Sequence, residues 1–304
     1  MKLFNKTHTH KTHSQKTWPH KLSVISAVIV ALSVFTSAMA QPPGPPRQRL
    51  QQFWAEIPPS KKTLESPNVP RTHDGLPDIF GQWRSNWRTL APNNLHDRKL
   101  TEKDQIQQKD FATEADYLDW VNRDLNTSPS VMCIPNGAAR FFSNPYLVEF
   151  FRTGEHSRYD QILAVDEIYH GMRHFFMDPN VEIEPNKWTR GNWGVSKGQW
   201  QDRSGDGKVD MLVVETVGLT ANWIDQTGLT HDDGATLTEE FWLNDDGSIL
   251  HMLWTLTDPK TYAHPIKQHF WWNRPSQDDS PIFEEYICSF DSAEPEQYLE
   301  RFQK

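Results

Sequence analysis

Three glutamates occupy positions at which an alternating pattern would place apolar side chains. Glu239, Glu215 and Glu285 each alternate with apolar residues within a segment rich in Val, Ile, Leu or Phe. Because successive side chains of a strand point to opposite faces, each glutamate lies in line with an apolar row. A carboxylate in such a row must be paired, hydrogen-bonded or protonated, since an isolated buried charge is too costly. The pattern predicts either a buried polar network or a catalytic pocket.

Arg173, His231 and Asp225 are the candidate partners of these glutamates. Arg173 shares a parity with Phe175 and Met177, so it points with apolar neighbours and can pair with a glutamate. His231 follows Asp225 in the same connecting segment and is a residue type that titrates near neutral pH. In a catalytic interpretation, a glutamate is the acid or base, His231 its proton partner and Arg173 an anion holder. In a structural interpretation, an Arg–Glu network braces the fold and the histidines lie on the surface.

The segment from Asp202 to Asp210 resembles the first part of a calcium-binding loop. Side-chain oxygens at loop positions 1, 3, 5 and 9 and the carbonyl at position 7 would come from Asp202, Ser204, Asp206, Asp210 and Lys208. The glutamate that usually completes such a loop at position 12 is missing. The alternative is an acidic, Gly-rich hairpin turn without an ion. We expect no required cofactor, and calcium at this loop is a hypothesis.

Strands dominate the pattern after residue 139, and a short helical segment precedes Cys133. The candidate strands are 145–152, 160–166, 168–177, 190–200, 209–216, 236–243, 248–256, 264–272 and 281–290. Their short connections predict a mainly β fold, an antiparallel meander that closes into a barrel or forms a strongly curved sheet. Thr101 and Thr113 are N-cap candidates for helical runs that reach Phe111 and Leu125.

The first forty residues have the order of a cleavable secretory signal. Five lysines and no acidic residue precede an apolar run from Ser23 to Ala38, and a small-x-small sequence ends at Ala40. The run is shorter than the ~20 apolar residues that span a bilayer. We expect cleavage at Ala40, a periplasmic or secreted location, and no integral membrane segment afterwards. A Pro-rich tether over 41–72 and a single β-rich domain over 73–304 complete the predicted organisation.

Cleavage of this signal changes what the composition implies. The net charge would change from −9 to −14, because five lysines and no acids are removed. So acidic a chain repels phosphate backbones, which argues against nucleic acid as a partner. Both cysteines, Cys133 and Cys288, lie after the signal. An oxidising compartment favours one disulfide between them, and a reactive thiol is the alternative.

An ordered set of short motifs resembles a large group of secreted, mostly uncharacterised bacterial proteins. The motifs lie at 77–83 (PDIFGQW), 133–137, 173–178, 194–200 (GVSKGQW), 212–216 (LVVET), 237–241, 258–262 and 285–288. The resemblance implies a single β-rich domain of the lipocalin-like barrel type, and the paired cysteines fit it. It implies no particular activity. The chain departs from the group between Trp200 and Leu212, where a longer acidic loop replaces a tight turn.

Aromatic content and missing motifs shape the functional hypotheses. Twelve of the thirteen tryptophans follow the signal, and tryptophan stacks on sugars and on flat apolar molecules. The chain has no Gly-rich phosphate loop, GxSxG or HExxH motif. Our leading hypothesis is an exported β-barrel that binds a small apolar or aromatic molecule, with acid–base processing by an isomerase, lyase or hydrolase as an open extension. The alternatives are a carbohydrate-binding or hydrolytic protein with structural calcium, and a non-enzymatic envelope interaction protein.

Overall fold

A computed structural model describes residues 64, 68–85, 106–129, 132–143, 146–153, 160–167, 171–184, 191–225 and 227–276. All of them belong to one compact unit that spans residues 43–304. The described strands are β1 (Gly81–Ser85), β2 (Leu147–Arg152), β3 (Gln161–Asp166), β4 (Met172–Phe176), β5 (Val195–Gln201), β6 (Met211–Val217), β7 (Asn222–Trp223), β8 (Thr230–His231), β9 (Thr236–Leu243), β10 (Ile249–Thr257) and β11 (Ile266–Asn273).

Nine of these strands form a closed barrel in the order β1-β11-β10-β9-β6-β5-β4-β3-β2. Strand β1 closes it by pairing with both β2 and β11. Strands β7 and β8 form a separate two-stranded sheet in the connection between β6 and β9. The predicted mainly β fold and barrel are confirmed, and the architecture fits the lipocalin-like type.

Alternating side chains fill the barrel interior. On β9, Leu237, Glu239 and Phe241 share the buried inner face, as the period-two pattern predicts. The ring of Phe142 packs against that of Phe241 with a centroid distance of 5.2 Å, and against that of Trp272 at 5.7 Å. Buried aromatic rings of this kind contribute large apolar areas and favourable edge-to-face contacts. The barrel interior is therefore filled by side chains around Phe142.

The strand pairing departs from an antiparallel meander at one place. Strands β4 and β5 are parallel, and only two register pairs join them, Phe175 with Ser196 and Phe176 with Lys197. A parallel neighbour requires the connecting chain to return along the barrel before the next strand begins. The candidate strand 281–290 lies outside the described residues, and β1 supplies the ninth strand of the barrel.

One α-helix among the described residues, α1 (Glu114–Val121), begins at the predicted cap. The N–H of Asp116 donates to Thr113 Oγ1 (3.2 Å), and the N–H of Thr113 donates to Asp116 Oδ2 (3.0 Å). This reciprocal capping box satisfies amide groups that a helix start leaves open. The helix ends before Leu125, which begins a separate 3₁₀ turn. Of the earlier predicted run, Gln108–Asp110 forms a 3₁₀ turn and residues 101–105 lie outside the described chain.

Several predictions about the chain ends lie outside the described residues. These include the signal over 1–40, most of the tether, and Cys288, so the disulfide with Cys133 stays a prediction. Residues at the end of the predicted tether already pack with the domain: Val69 belongs to the core, and Arg71 Nη1 donates to the carbonyl of Val209 (2.8 Å). In the described part of the chain, no helix has the length and apolarity needed to cross a membrane.

Candidate functional site

Arg173 on β4 and Glu239 on β9 form an ion pair inside the barrel. Arg173 Nη1 donates to Glu239 Oε1 and Nη2 donates to Oε2, each over 2.7 Å. The two side chains are 1 % and 0 % exposed. Parallel N–H to oxygen bonds of this kind are the strongest geometry available to an arginine and a carboxylate. The expected pairing of Arg173 with a glutamate is confirmed.

Two hydroxyl groups extend this ion pair into a network. Arg173 Nη2 also donates to Ser196 Oγ (3.2 Å) and to Thr216 Oγ1 (3.0 Å), and the two hydroxyl oxygens lie 2.8 Å apart. Three rings surround the guanidinium carbon at 5.0–5.6 Å from their centres, those of Phe141, Phe142 and Phe175. The network thus joins β4, β5, β6 and β9 across an aromatic core.

Burial governs the ionisation of Glu239. Removal from water raises the pKa of Glu239 above its ordinary value, and the Arg173 guanidinium offsets part of that rise. Within the described residues, the carboxylate hydrogen-bonds to the Arg173 guanidinium in the core, so the arrangement matches the structural interpretation of these residues. A buried ion pair is retained only when both partners are present, because either charge alone is strongly disfavoured.

Glu215 does not join this network. It is exposed on the outer face of β6, whereas Leu212, Val214 and Thr216 occupy the inner face. Glu215 does share its face with the apolar Met211 and Val213, as its parity predicts, but that face is the outside of the barrel and the expected burial of its carboxylate is wrong. The outer cluster on that face consists of Leu64, Met211, Val213, Trp242 and Leu253. Glu285 lies outside the described residues.

His231 and Asp225 are both buried but do not hydrogen-bond to each other in the described part of the protein. His231 Nδ1 faces the carbonyl of Asp232 (3.2 Å), and burial lowers the pKa of this histidine. Asp225 accepts the N–H of Thr227 (2.7 Å) and that of Leu229 (3.2 Å), so its carboxylate organises the turn before β8. The structure therefore does not assemble these residues with Glu239 into an acid–base set.

The carboxylates of the predicted calcium loop bind backbone N–H groups. Asp202 accepts two of them at 2.6 and 2.8 Å, Asp210 two at 3.0 and 2.8 Å, and Asp206 one at 2.9 Å. The amide of Gly207 is the largest cause of the lowered pKa of Asp202. Across the described ranges, no group of three or more His, Cys, Asp or Glu side chains is arranged to hold a metal. The loop has the hydrogen bonding of an acidic turn.

We expect saturating calcium to leave the thermal midpoint of the protein unchanged relative to excess chelator. A loop calcium requires carboxylate oxygens that converge on one point, and here they are directed at amides. Paired melting curves in calcium and in chelator measure the effect, and a magnesium sample controls for ionic strength. A calcium-specific rise of several degrees would support the calcium hypothesis instead.

A cleft of about 390 Å³ opens at one end of the barrel. Within the described chain, none of the predicted catalytic or metal residues lines it. Its lining comes from the ends of β2 to β5 and from the segment before β1: Asp74, Leu76, Phe80, Arg152, Asp160, Ile162, Met177, Pro179, Lys197, Gly198, Gln199 and Trp200. Ser196 of the ion-pair network is two residues from Gly198 on the same face of β5, so the network lies beneath the cleft.

The cleft lies where the parallel pairing of β4 and β5 ends. Strand β4 stops at Phe176, and the N–H of Met177 then donates to the carbonyl of Asp160 (2.9 Å) beside β3. Strand β5 continues to Gln201. Gly198 faces this opening without a side chain, and a Cβ there would lie 2.5 Å from Met177 Sδ. The glycine therefore leaves the space that the Met177 thioether occupies beside the cleft.

Charged groups form the rim of the cleft. Arg152 pairs with Asp74 and lies 3.5 Å from Asp160 Oδ2. Hydrogen bonds from Thr72 and Arg152 lower the pKa of Asp74 to about 2, so its carboxylate is ionised at neutral pH. Lys197 Nζ donates to the carbonyl of Pro179 (2.8 Å) across the gap between β4 and β5. The rim thus has an acidic side and a basic side above an apolar floor.

Comparisons with known proteins provide no relative from which a role could be transferred. No family model matches the chain, and no curated protein or solved structure matches it. The cleft and the ion pair are therefore interpreted from their own contacts.

Proposed function

We propose that this protein binds a small, largely apolar or aromatic molecule in the cleft at the end of its barrel. The observation that carries the proposal is the cleft itself, about 390 Å³ in volume, with an apolar floor and a charged rim. Small-molecule sites are typically concave, mostly apolar and about 300–1,000 Å³ in size, with a few polar groups that orient the ligand. The mouth of a β-barrel is a frequent place for them.

Binding is proposed in preference to acid–base catalysis because of where the carboxylates lie. Glu239 is held by Arg173 in the core, and the outward-facing Glu215 does not line the cleft. Asp225 accepts hydrogen bonds within its own turn. Among the described residues, the carboxylates proposed from the sequence as acids or bases do not line the cleft. A general acid or base must come within hydrogen-bond reach of the proton that it transfers.

We also propose that the protein is exported and belongs to the secreted bacterial group that its motifs resemble. The lysine-rich start, the apolar run and the small-x-small sequence at Ala40 support export. The ordered motifs between residues 77 and 288 support the group. A binding protein in the periplasm or outside the cell would meet its ligand without the ligand having to cross an inner membrane.

Gly198→Val is expected to weaken ligand binding at least tenfold. The new side chain occupies the position where a Cβ lies 2.5 Å from Met177 Sδ, so this thioether, which lines the cleft, must move. The probe is N-phenylnaphthylamine, a neutral aromatic dye whose fluorescence rises in apolar surroundings, titrated against purified protein.

Gly191→Ala is the matched control, because a Cβ at Gly191 meets nothing within 4 Å. It should leave the affinity for the dye unchanged, and thermal melts should show that both variants are folded. Absence of dye binding to the wild type, or equal affinity in Gly198→Val, would contradict the proposed site.

A further inference from the structure

We infer that the ligand is an anion: an aromatic or apolar body that carries a carboxylate or similar acidic group, with the acidic group bound by Lys197. This inference rests on the proposed function and specifies the ligand class for the same cleft. Its basis is the uneven distribution of charge around the rim, together with an ammonium group that hydrogen-bonds only to a neutral carbonyl among the described residues.

Lys197 is a positioned cation without an acidic partner among the described residues. Its Nζ donates to the carbonyl of Pro179 (2.8 Å), a neutral acceptor, and the residue borders the cleft from the outer face of β5, opposite to the face of Gly198. Glu215 is its register neighbour on β6, but the two side chains form no ion pair. An ammonium has three donors, so two remain for a ligand after the bond to Pro179.

The other cation of the rim is already neutralised. Arg152 forms an ion pair with Asp74 and lies 3.5 Å from Asp160, so two carboxylates surround one guanidinium. That side of the cleft carries a net negative charge and repels an anion. The two sides together orient a monoanion, because its acidic group is attracted to Lys197 and disfavoured beside Asp74 and Asp160.

The floor between these charges suits an apolar body. Ile162, Met177 and Trp200 line it, and the thioether of Met177 covers the β5 backbone at Gly198. A thioether and an indole both make favourable contacts with an aromatic ring. Burial of the body supplies the affinity, and the Lys197 contact supplies the preference for an acidic group.

The test compares two dyes with one aromatic body. N-phenylnaphthylamine is neutral, and anilinonaphthalene sulfonate adds one anionic group to the same rings. Wild type should bind the anionic dye more tightly than the neutral one. Lys197→Gln should lower the affinity for the anionic dye about tenfold, which is the expected contribution of one charge-assisted hydrogen bond. The same variant should leave the affinity for the neutral dye unchanged. High salt should lower only the affinity for the anionic dye, because the contact with Lys197 is partly exposed.

Lys208→Gln is the matched control, since Lys208 is an exposed lysine outside the cleft. It should change the affinity for neither dye. If Lys197→Gln weakens both dyes equally or neither of them, the inferred anion contact is wrong while binding in the cleft still stands. If wild type binds neither dye, the proposed function itself fails.

Discussion

Glu239→Gln is expected to lower the free energy of unfolding by about 3–5 kcal/mol, the usual cost of breaking a buried ion pair. The carboxamide nearly preserves the shape of the side chain but leaves the Arg173 guanidinium uncompensated in a site where it is 1 % exposed. Ser196 and Thr216 accept from the guanidinium, but neither carries a charge that could replace the carboxylate. Urea unfolding of purified protein at neutral pH measures the loss.

Two further variants show whether the charge is the cause. Glu240→Gln is the matched control on the next residue, because Glu240 forms a partly exposed pair with Arg203 that is expected to contribute at most about 1 kcal/mol. Replacement of both core partners, Arg173→Met with Glu239→Leu, should recover most of the stability, since apolar residues of similar volume often substitute for a buried pair. A double variant as unstable as Glu239→Gln would show that the hydroxyl network, rather than the unpaired charge, determines the cost.

The ion pair was predictable because its strands have simple patterns. Glu239 and Arg173 each alternate with large apolar residues, so period-two parity places both on a buried face, where a lone charge needs a partner. The same pattern wrongly predicted that Glu215 is buried, because β6 is apolar on both faces. Met211 and Val213 pack under the outer cluster, so the apolar row that they form does not mark the barrel interior.

The cleft could not be predicted in the same way. It depends on a parallel contact between β4 and β5 that ends after two register pairs, and sequence periodicity does not distinguish parallel from antiparallel neighbours. One local signal was present: Ser196 and Gly198 are successive small residues on one face of a strand, which typically marks a close approach. Arg152 and Lys197 could not be recognised from the sequence as residues of one cleft, because only the folded barrel brings their strands together.

Asp225 is expected to make the stability of the protein depend on pH, and Asp225→Asn to remove that dependence. Burial raises the pKa of Asp225 from 3.8 to about 6, although hydrogen bonds from Thr227 and Leu229 and the charge of Arg140 act in the opposite direction. The carboxyl group is close enough to Tyr262 to contribute to the raised pKa of that phenol, which is caused mainly by burial.

The direction of this pH dependence follows from the raised pKa of Asp225. The folded protein holds a proton on Asp225 more tightly than the unfolded chain does, so the contribution to stability is complete below pH 3.8 and is lost as the pH rises through about 6. The shift corresponds to about 3 kcal/mol. An asparagine cannot ionise, yet its carbonyl can accept the N–H groups of Thr227 and Leu229 as the carboxylate does.

As the pH rises, the unfolding free energy of Asp225→Asn should therefore increase relative to that of the wild type. The difference should increase by up to about 3 kcal/mol between pH ~4 and ~7 and then level off. Urea unfolding at a series of pH values gives the curve, and taking the difference removes the other titrating groups that both proteins share. Asp245→Asn, at an exposed turn position, is the matched control for the loss of one carboxylate. A flat curve for Asp225→Asn would mean that the Asp225 carboxyl group titrates alike in the folded and unfolded states, and that its burial is compensated by the turn that it organises.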